Sequence, residues 1–209
     1  MSIGFCGKMA SGKDTMGYYF KRTFANSKKL SFGGELKKEA QTFLDKVREN
    51  NNYKPDDMPN ELYEQMKKLA LKSNKKITDR TPENRTILQL YGTEYRRNQN
   101  PNYWVDKVRK VIEENPDIDF YITDARFINE IEMLKEENIF LVKLEINKTT
   151  QKERILNRDG ILPTEEQRNH PSELECDIFK NYDMIVRSDN QLPDETFYEI
   201  VKKYRDYIS

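Results

Sequence analysis

Residues 2–15 read Ser-Ile-Gly-Phe-Cys-Gly-Lys-Met-Ala-Ser-Gly-Lys-Asp-Thr, and this stretch decides the fold. A short apolar strand, Ile3 to Cys6, runs into a loop bounded by glycines, Gly7-x-x-x-x-Gly12-Lys13. That is the core of a phosphate-binding P-loop: the glycines let backbone N–H groups wrap an anion with no Cβ in the way. Lys13 reaches the β- and γ-phosphates, and the helix opening near Gly12 turns its positive end to them. The motif arises by chance in roughly one chain of this length in twenty, but here it follows a strand and opens an amphipathic helix (Met16, Tyr19, Phe20, Thr23, Phe24). The plainer reading, a glycine-rich turn that binds nothing, does not require that context. Asp14 stands where the motif expects Ser or Thr to hold Mg²⁺. Thr15 follows and offers a hydroxyl to a phosphate or to the metal's water shell.

Working outward, 209 residues suit one domain, or one domain with insertions. Lys+Arg and Asp+Glu balance at 36 each, so no net charge steers the chain to nucleic acid or to an anionic membrane. No apolar run approaches the ~18 residues of a membrane span, and no signal peptide opens the sequence. Cys6 and Cys176 are the only cysteines. They read as reduced thiols, which predicts a cytoplasmic protein. The single histidine, His170, leaves no His-rich metal site.

Apolar runs predict further strands at Lys29–Phe32, Asp119–Thr123, Ile139–Ile146 and Tyr182–Val186. Helical periodicity fills the intervals. Gly33-Gly34 is expected to turn the second strand into a helix over 35–48. Further helices are expected at 61–72, 82–95, from Pro101 on, to about 138, over 149–158 and over 193–207, with a charged loop at 160–171. Strands alternating with helices make this an α/β chain with a mainly parallel five-stranded sheet and its site at the strands' C-terminal ends. The long helical interval reads as an insertion, about 35–115, and a smaller one spans about 149–176. The core is then 1–34, 116–148 and 177–209.

Phosphoryl transfer is mostly positioning and charge neutralisation, so the candidate residues are cations and polar groups around the loop. Arg126 leaves the strand ending at Thr123, and its side chain is expected to enter from the side opposite the loop; a pairing with Glu130, one turn on, is the structural alternative. Arg154 and Arg158, four apart, share a helix face. Lys37, Arg85, Arg96 and Arg97 lie in the long insertion. Asp124 is placed either to hold Mg²⁺ through water or to cap the next helix. Gln89, Thr93 and Trp104 read as pocket lining, Trp104 equally as core.

The stretch Gly7–Thr15, with Ser-Gly-Lys-Asp-Thr at its end, resembles the P-loop of the phage-type deoxynucleoside monophosphate kinases, in which the Asp14 departure is usual. Ser31–Lys37, Leu88–Glu94, Asn102–Val105, Thr123–Glu130 (Thr-Asp-Ala-Arg-Phe-Ile-Asn-Glu) and His170–Glu173 (His-Pro-Ser-Glu) resemble the same family, in its order. Gly33-Gly34-Glu35 stands where that family often has Ala-Asp-Pro. The resemblance implies ATP-dependent phosphorylation of a deoxynucleoside monophosphate with Mg²⁺. It places ATP on Gly7, Lys8, Ala10, Ser11, Gly12, Lys13, Asp14 and Thr15, and the metal near Asp14, Thr15 and Asp124. The acceptor falls to Phe32, Lys37, Arg85, Gln89, Thr93, Trp104, Asp124 and Arg126. Lys13, Arg126, Arg154 and Arg158 act on the transferring phosphoryl. The segment 149–176 becomes a lid, with His170 ordering its return. Phosphomevalonate kinase is similar in its P-loop and its Asp-x-Arg stretch and stays an alternative, as does a non-catalytic nucleotide switch. The expected partner is a small nucleotide, with no nucleic acid and no membrane; a homodimer is compatible with the sequence.

Overall fold

The computed structural model describes residues 2–72, 75–79, 81–169, 171–189 and 191–208. The chain divides into two compact units, Met1–Ser31 with Arg109–Ser209, and Phe32–Val108.

The first unit carries a five-stranded sheet. Its strands are β1 Ile3–Cys6, β2 Lys28–Leu30, β3 Phe120–Ile122, β4 Phe140–Glu145 and β5 Met184–Arg187, in the order β2-β3-β1-β4-β5. Every pairing is parallel: Ile3 lies opposite both Tyr121 and Phe140, Lys28 opposite Phe120, and Val142 opposite Met184. All five expected strands are present, and the one feeding the P-loop is central. Alternation along a strand sends Ile3 and Phe5 to one face and Gly4 and Cys6 to the other. On the first face α1 (Lys13–Thr23) and α10 (Pro193–Ile208) bury Met16, Phe20, Phe197, Ile200 and Tyr204 against Phe140, Val142 and Leu144. Gly17 lets α1 press on the end of β3, because a Cβ there would stand 2.5 Å from the Thr123 methyl. α6 (Ile128–Glu136), α7 (Lys148–Asp159), α8 (Glu165–Arg168) and α9 (Pro171–Ile178) complete this unit.

The second unit is helical: α2 (Phe32–Glu49), α3 (Asn60–Lys72), α4 (Pro82–Gln89), a π-helical segment Leu90–Arg97, and the first part of α5 (Tyr103–Glu113). Its own core holds Phe43, Leu44, Met66, Ile87, Tyr95 and Trp104.

Three expectations are corrected. Gly33 and Gly34 do not form a turn; they lie in the first turn of α2. Glycine permits the left-handed turn without requiring it, and a helix's first turn, whose N–H groups have no partner within the helix, tolerates glycine best. The helix expected over 82–95 is instead α4, capped by the Thr81 side chain on the Asn84 N–H, followed by a π-helix. The segment 160–171 is not all loop, since α8 lies within it and α9 starts at Pro171. No helix among the described residues is long and apolar enough to cross a membrane.

Candidate active site

The loop after β1 is shaped by three residues at positive φ: Gly7 (137°), Ala10 (62°) and Gly12 (95°), the last capping α1. At Gly7 any side chain is excluded twice over, by φ and by the carbonyl of Leu144, which would sit 2.4 Å from a Cβ. Ala10 is a non-glycine in the left-handed region, a conformation that persists only where the surroundings determine it. Those surroundings are visible. Gln151 donates to the Met9 carbonyl at 2.9 Å, and Arg154 leans on the Ala10 carbonyl at 3.4 Å while donating to the Ser188 carbonyl at 2.7 Å. Within the loop, the Ser11 N–H donates to the Lys8 carbonyl at 3.2 Å.

Lys13 is buried, and its ammonium donates to the carbonyls of Gly7 and Lys8, both at 2.7 Å. Its pKa is pulled down to about 8, by burial first and by the nearby Arg126 guanidinium second, with Glu173 opposing. The loop suits an anion in three further respects. The first N–H groups of α1 have no helical partner. The Ser11 hydroxyl is fully buried and has no partner among the described residues. Lys13 carries a charge that burial makes costly until an anion meets it. These features fit the phosphates of ATP on Gly7, Lys8, Ala10, Ser11, Gly12, Lys13, Asp14 and Thr15.

Asp14 sits in the first turn of α1 and accepts from the Thr123 hydroxyl at 2.8 Å, with Lys29 at 3.4 Å. Partial burial raises its pKa, but the Thr123 bond and Lys29 outweigh that and hold it below the usual carboxylate value. Asp124, one residue beyond Thr123, accepts from the Ser31 hydroxyl at 2.6 Å. Asp14, Thr15 and Asp124 are hard oxygen donors, as Mg²⁺ prefers. Among the described residues no three metal-binding side chains cluster, so such an ion would draw most of its shell from phosphate and water, its usual habit in these sites.

Arg126 is set by its backbone. Buried Glu130 accepts from the N–H groups of Arg126 (2.8 Å) and Phe127 (3.1 Å), and Glu175 from that of Ile128 (2.8 Å). Glu130 thus meets Arg126 through the main chain, not through the guanidinium. The guanidinium bonds the Glu173 carboxylate, whose other oxygen accepts from the Met9 N–H at 2.9 Å. So Arg126 does not enter from the side opposite the loop; it shares a carboxylate with it. Arg158 is exposed and held by its neighbour Asp159 at 2.6 Å, and Arg154 is committed to backbone carbonyls. Helix α7 therefore supports the loop through Gln151 and Arg154, a role the sequence reading did not assign. His170 lies outside the described residues.

The remaining candidates belong to the helical unit. Lys37, Arg85 and Gln89 are exposed and Thr93 is half-buried, whereas Phe32 is buried. Trp104 is buried and donates its indole N–H to the Gly92 carbonyl at 3.1 Å, the core placement of its two readings. A polar cluster in this unit was not predicted. Glu39 accepts from the Tyr103 hydroxyl at 3.0 Å and pairs with Arg96 at 3.4 Å, and the Arg96 guanidinium lies 4.2 Å from the Tyr95 ring centroid.

A P-loop on the central strand of a parallel sheet, under a helix whose N-terminus receives the loop, defines the P-loop α/β fold. The solved structures agree. TT1252 from Thermus thermophilus is 17% identical over 98% of this chain and 97% of its own, with a TM-score of 0.53. A sugar kinase from Janibacter sp. HTCC2649 is 13% identical over 98% and 94%, with a TM-score of 0.51. Shikimate kinase from Aquifex aeolicus is 17% identical over 99% and 97%, with a TM-score of 0.49. At these identities the first two likenesses establish the fold and nothing finer. No family model matches the chain, and no curated protein does.

Proposed function

We propose that this protein transfers the γ-phosphoryl group of ATP to a nucleoside monophosphate, preferentially a deoxynucleotide. The observation that carries the reading is the convergence of two cations on one loop. Lys13 lies inside the loop and Arg126 is near enough to depress its pKa, an arrangement suited to phosphate groups on both sides of a transfer. The acceptor class rests on the ordered stretches 31–37, 88–94, 102–105, 123–130 and 170–173, which resemble monophosphate kinases.

In this reading Lys13 leaves the Gly7 and Lys8 carbonyls to hold the β- and γ-phosphates. The α1 N–H groups bind the phosphate chain. Arg126 holds the acceptor phosphate, whose guanidinium match is bidentate. Arg154 and Gln151 keep the loop's Met9–Ala10 corner in shape, and Arg158 reaches the transferring group once it leaves Asp159. Asp14, Thr15 and Asp124 would hold Mg²⁺ through its waters, and the ion would supply neutralisation of phosphate charge. The attacking oxygen of a monophosphate is already ionised, so no side chain need act as a base. The helical unit is the proposed reader of the nucleoside, through Lys37, Arg85, Gln89 and Thr93, and 149–176 the proposed lid.

A coupled ADP-release assay over a panel of nucleoside and deoxynucleoside monophosphates, with phosphomevalonate included, tests this. Turnover that depends on a deoxynucleotide and disappears in Lys13→Ala is expected. Slow hydrolysis indifferent to every acceptor would support a nucleotide switch instead, and turnover with phosphomevalonate alone would overturn the nucleoside assignment.

A further inference from the structure

We infer that Glu173 is a positioning residue, a buried bridge that fixes the Arg126 guanidinium relative to the P-loop. Its side chain is 9% exposed. One oxygen accepts from the Met9 N–H at 2.9 Å; the other meets Arg126. The inference rests on the reading of Arg126 as a phosphate-binding residue.

A buried carboxylate in a site built for anions works against anion binding unless it does something else. The arrangement around it indicates what. The segment from α7 to α9 grips the loop's corner at three atoms: Gln151 at the Met9 carbonyl, Arg154 at the Ala10 carbonyl and Glu173 at the Met9 N–H. Of the three, Glu173 alone also holds Arg126. It thereby ties the Ala10 turn and the guanidinium's Nη1 to one carboxylate, which restricts where the remaining N–H groups of Arg126 can point.

The competing role is a stand-in, with the carboxylate occupying a phosphate position and leaving when nucleotide arrives. Lys13 argues against it. A carboxylate in the phosphate position would draw the ammonium onto itself, yet Lys13 bonds the Gly7 and Lys8 carbonyls.

Glu173→Gln tests the bridge with no change of size, because the amide keeps one acceptor oxygen and presents an NH₂ where the second was. Turnover is expected to fall about tenfold or more with the melting temperature nearly unchanged, since one decade is the effect of misaligning a single well-placed contact. In an Arg126→Lys background the same change should cost less than about threefold, because the two residues act as one unit. Additive losses, or tighter ADP binding by Glu173→Gln, would overturn the bridge, the latter in favour of the stand-in. If the wild-type protein phosphorylates no acceptor, the functional reading fails separately. The bridge is then read by ¹⁵N NMR of the ligand-free protein: the Met9 amide and the Arg126 Nε signals should both shift in Glu173→Gln, and unmoved signals refute it. Should the amide variant not fold, Glu173→Asp, which withdraws the carboxylate by ~1.5 Å, gives the same readouts.

Discussion

Nucleotide binding should take up protons above neutral pH, and Lys13 sets how many. With its pKa near 8 in the ligand-free protein, the ammonium is about half deprotonated at pH 8 and about nine-tenths at pH 9. Phosphate returns the missing partner and restores the charge. ADP binding should therefore take up about 0.5 proton at pH 8 and about 0.9 at pH 9, and affinity should fall about fivefold across that unit, roughly 1 kcal/mol. Titration calorimetry in two buffers of different ionisation enthalpy reads the uptake directly; above pH 8 the nucleotide's own phosphates no longer titrate. The same shift governs stability, with the sign reversed. The unfolded chain holds the Lys13 proton up to about 10.5 and the folded chain only to about 8, so between those values unfolding binds a proton and stability rises with pH, by about 3 kcal/mol in all. Below pH 8 the full penalty remains. Lys13→Met should abolish both the uptake and that slope. Uptake under about 0.1 proton at pH 9 would show that Lys13 stays charged in its buried position, and the electrostatic account of the loop would fall.

Arg126→Lys should raise the KM for the monophosphate about tenfold, because a lysine cannot supply two parallel hydrogen bonds worth roughly 1.5–3 kcal/mol each; ADP affinity by calorimetry should barely move, and equal losses for both ligands would refute the acceptor role. Gly7→Ala should destabilise the fold by about 1–3 kcal/mol in urea and remove ADP binding, since its Cβ meets the Leu144 carbonyl; normal binding would mean the loop is built differently. Trp104→Phe should lower stability by roughly 1–3 kcal/mol, through the lost indole N–H bond to the Gly92 carbonyl and the space the smaller ring leaves, and leave the monophosphate KM within twofold. A large KM change instead would return the ring to the substrate pocket.

Most strands were legible because they hold brief apolar runs, as at Ile3–Cys6, Phe120–Ile122 and 184–186, whereas β2, Lys28–Leu30, carries one apolar residue only. The loop was legible because its glycines are needed for backbone geometry, and geometry of that kind leaves a residue signature. Glu173 was not legible. It was quoted within a motif, but its partner Met9 lies 164 residues away, and no local spacing records such a contact. The Gly33-Gly34 pair misled because glycine is compatible with both a turn and a helix start. The π-helix was hidden because Tyr91 and Tyr95, four apart, suit an α-helical face as well as a π-helical one.

The central place of β1 bears on how the chain acquires its structure. Ile3 pairs with Tyr121 and Phe140, so the strand feeding the phosphate loop has both neighbours more than a hundred residues downstream. Closing such loops is entropically expensive and slows folding. The helical unit, Phe32–Val108, is built from nearby contacts and lies between. It should gain protected amides first in a pulsed hydrogen-exchange experiment, with β1 and the loop protected only after β3 and β4 have joined. On ribosomes, the P-loop would leave before either strand that pairs with β1 and would take shape only after both.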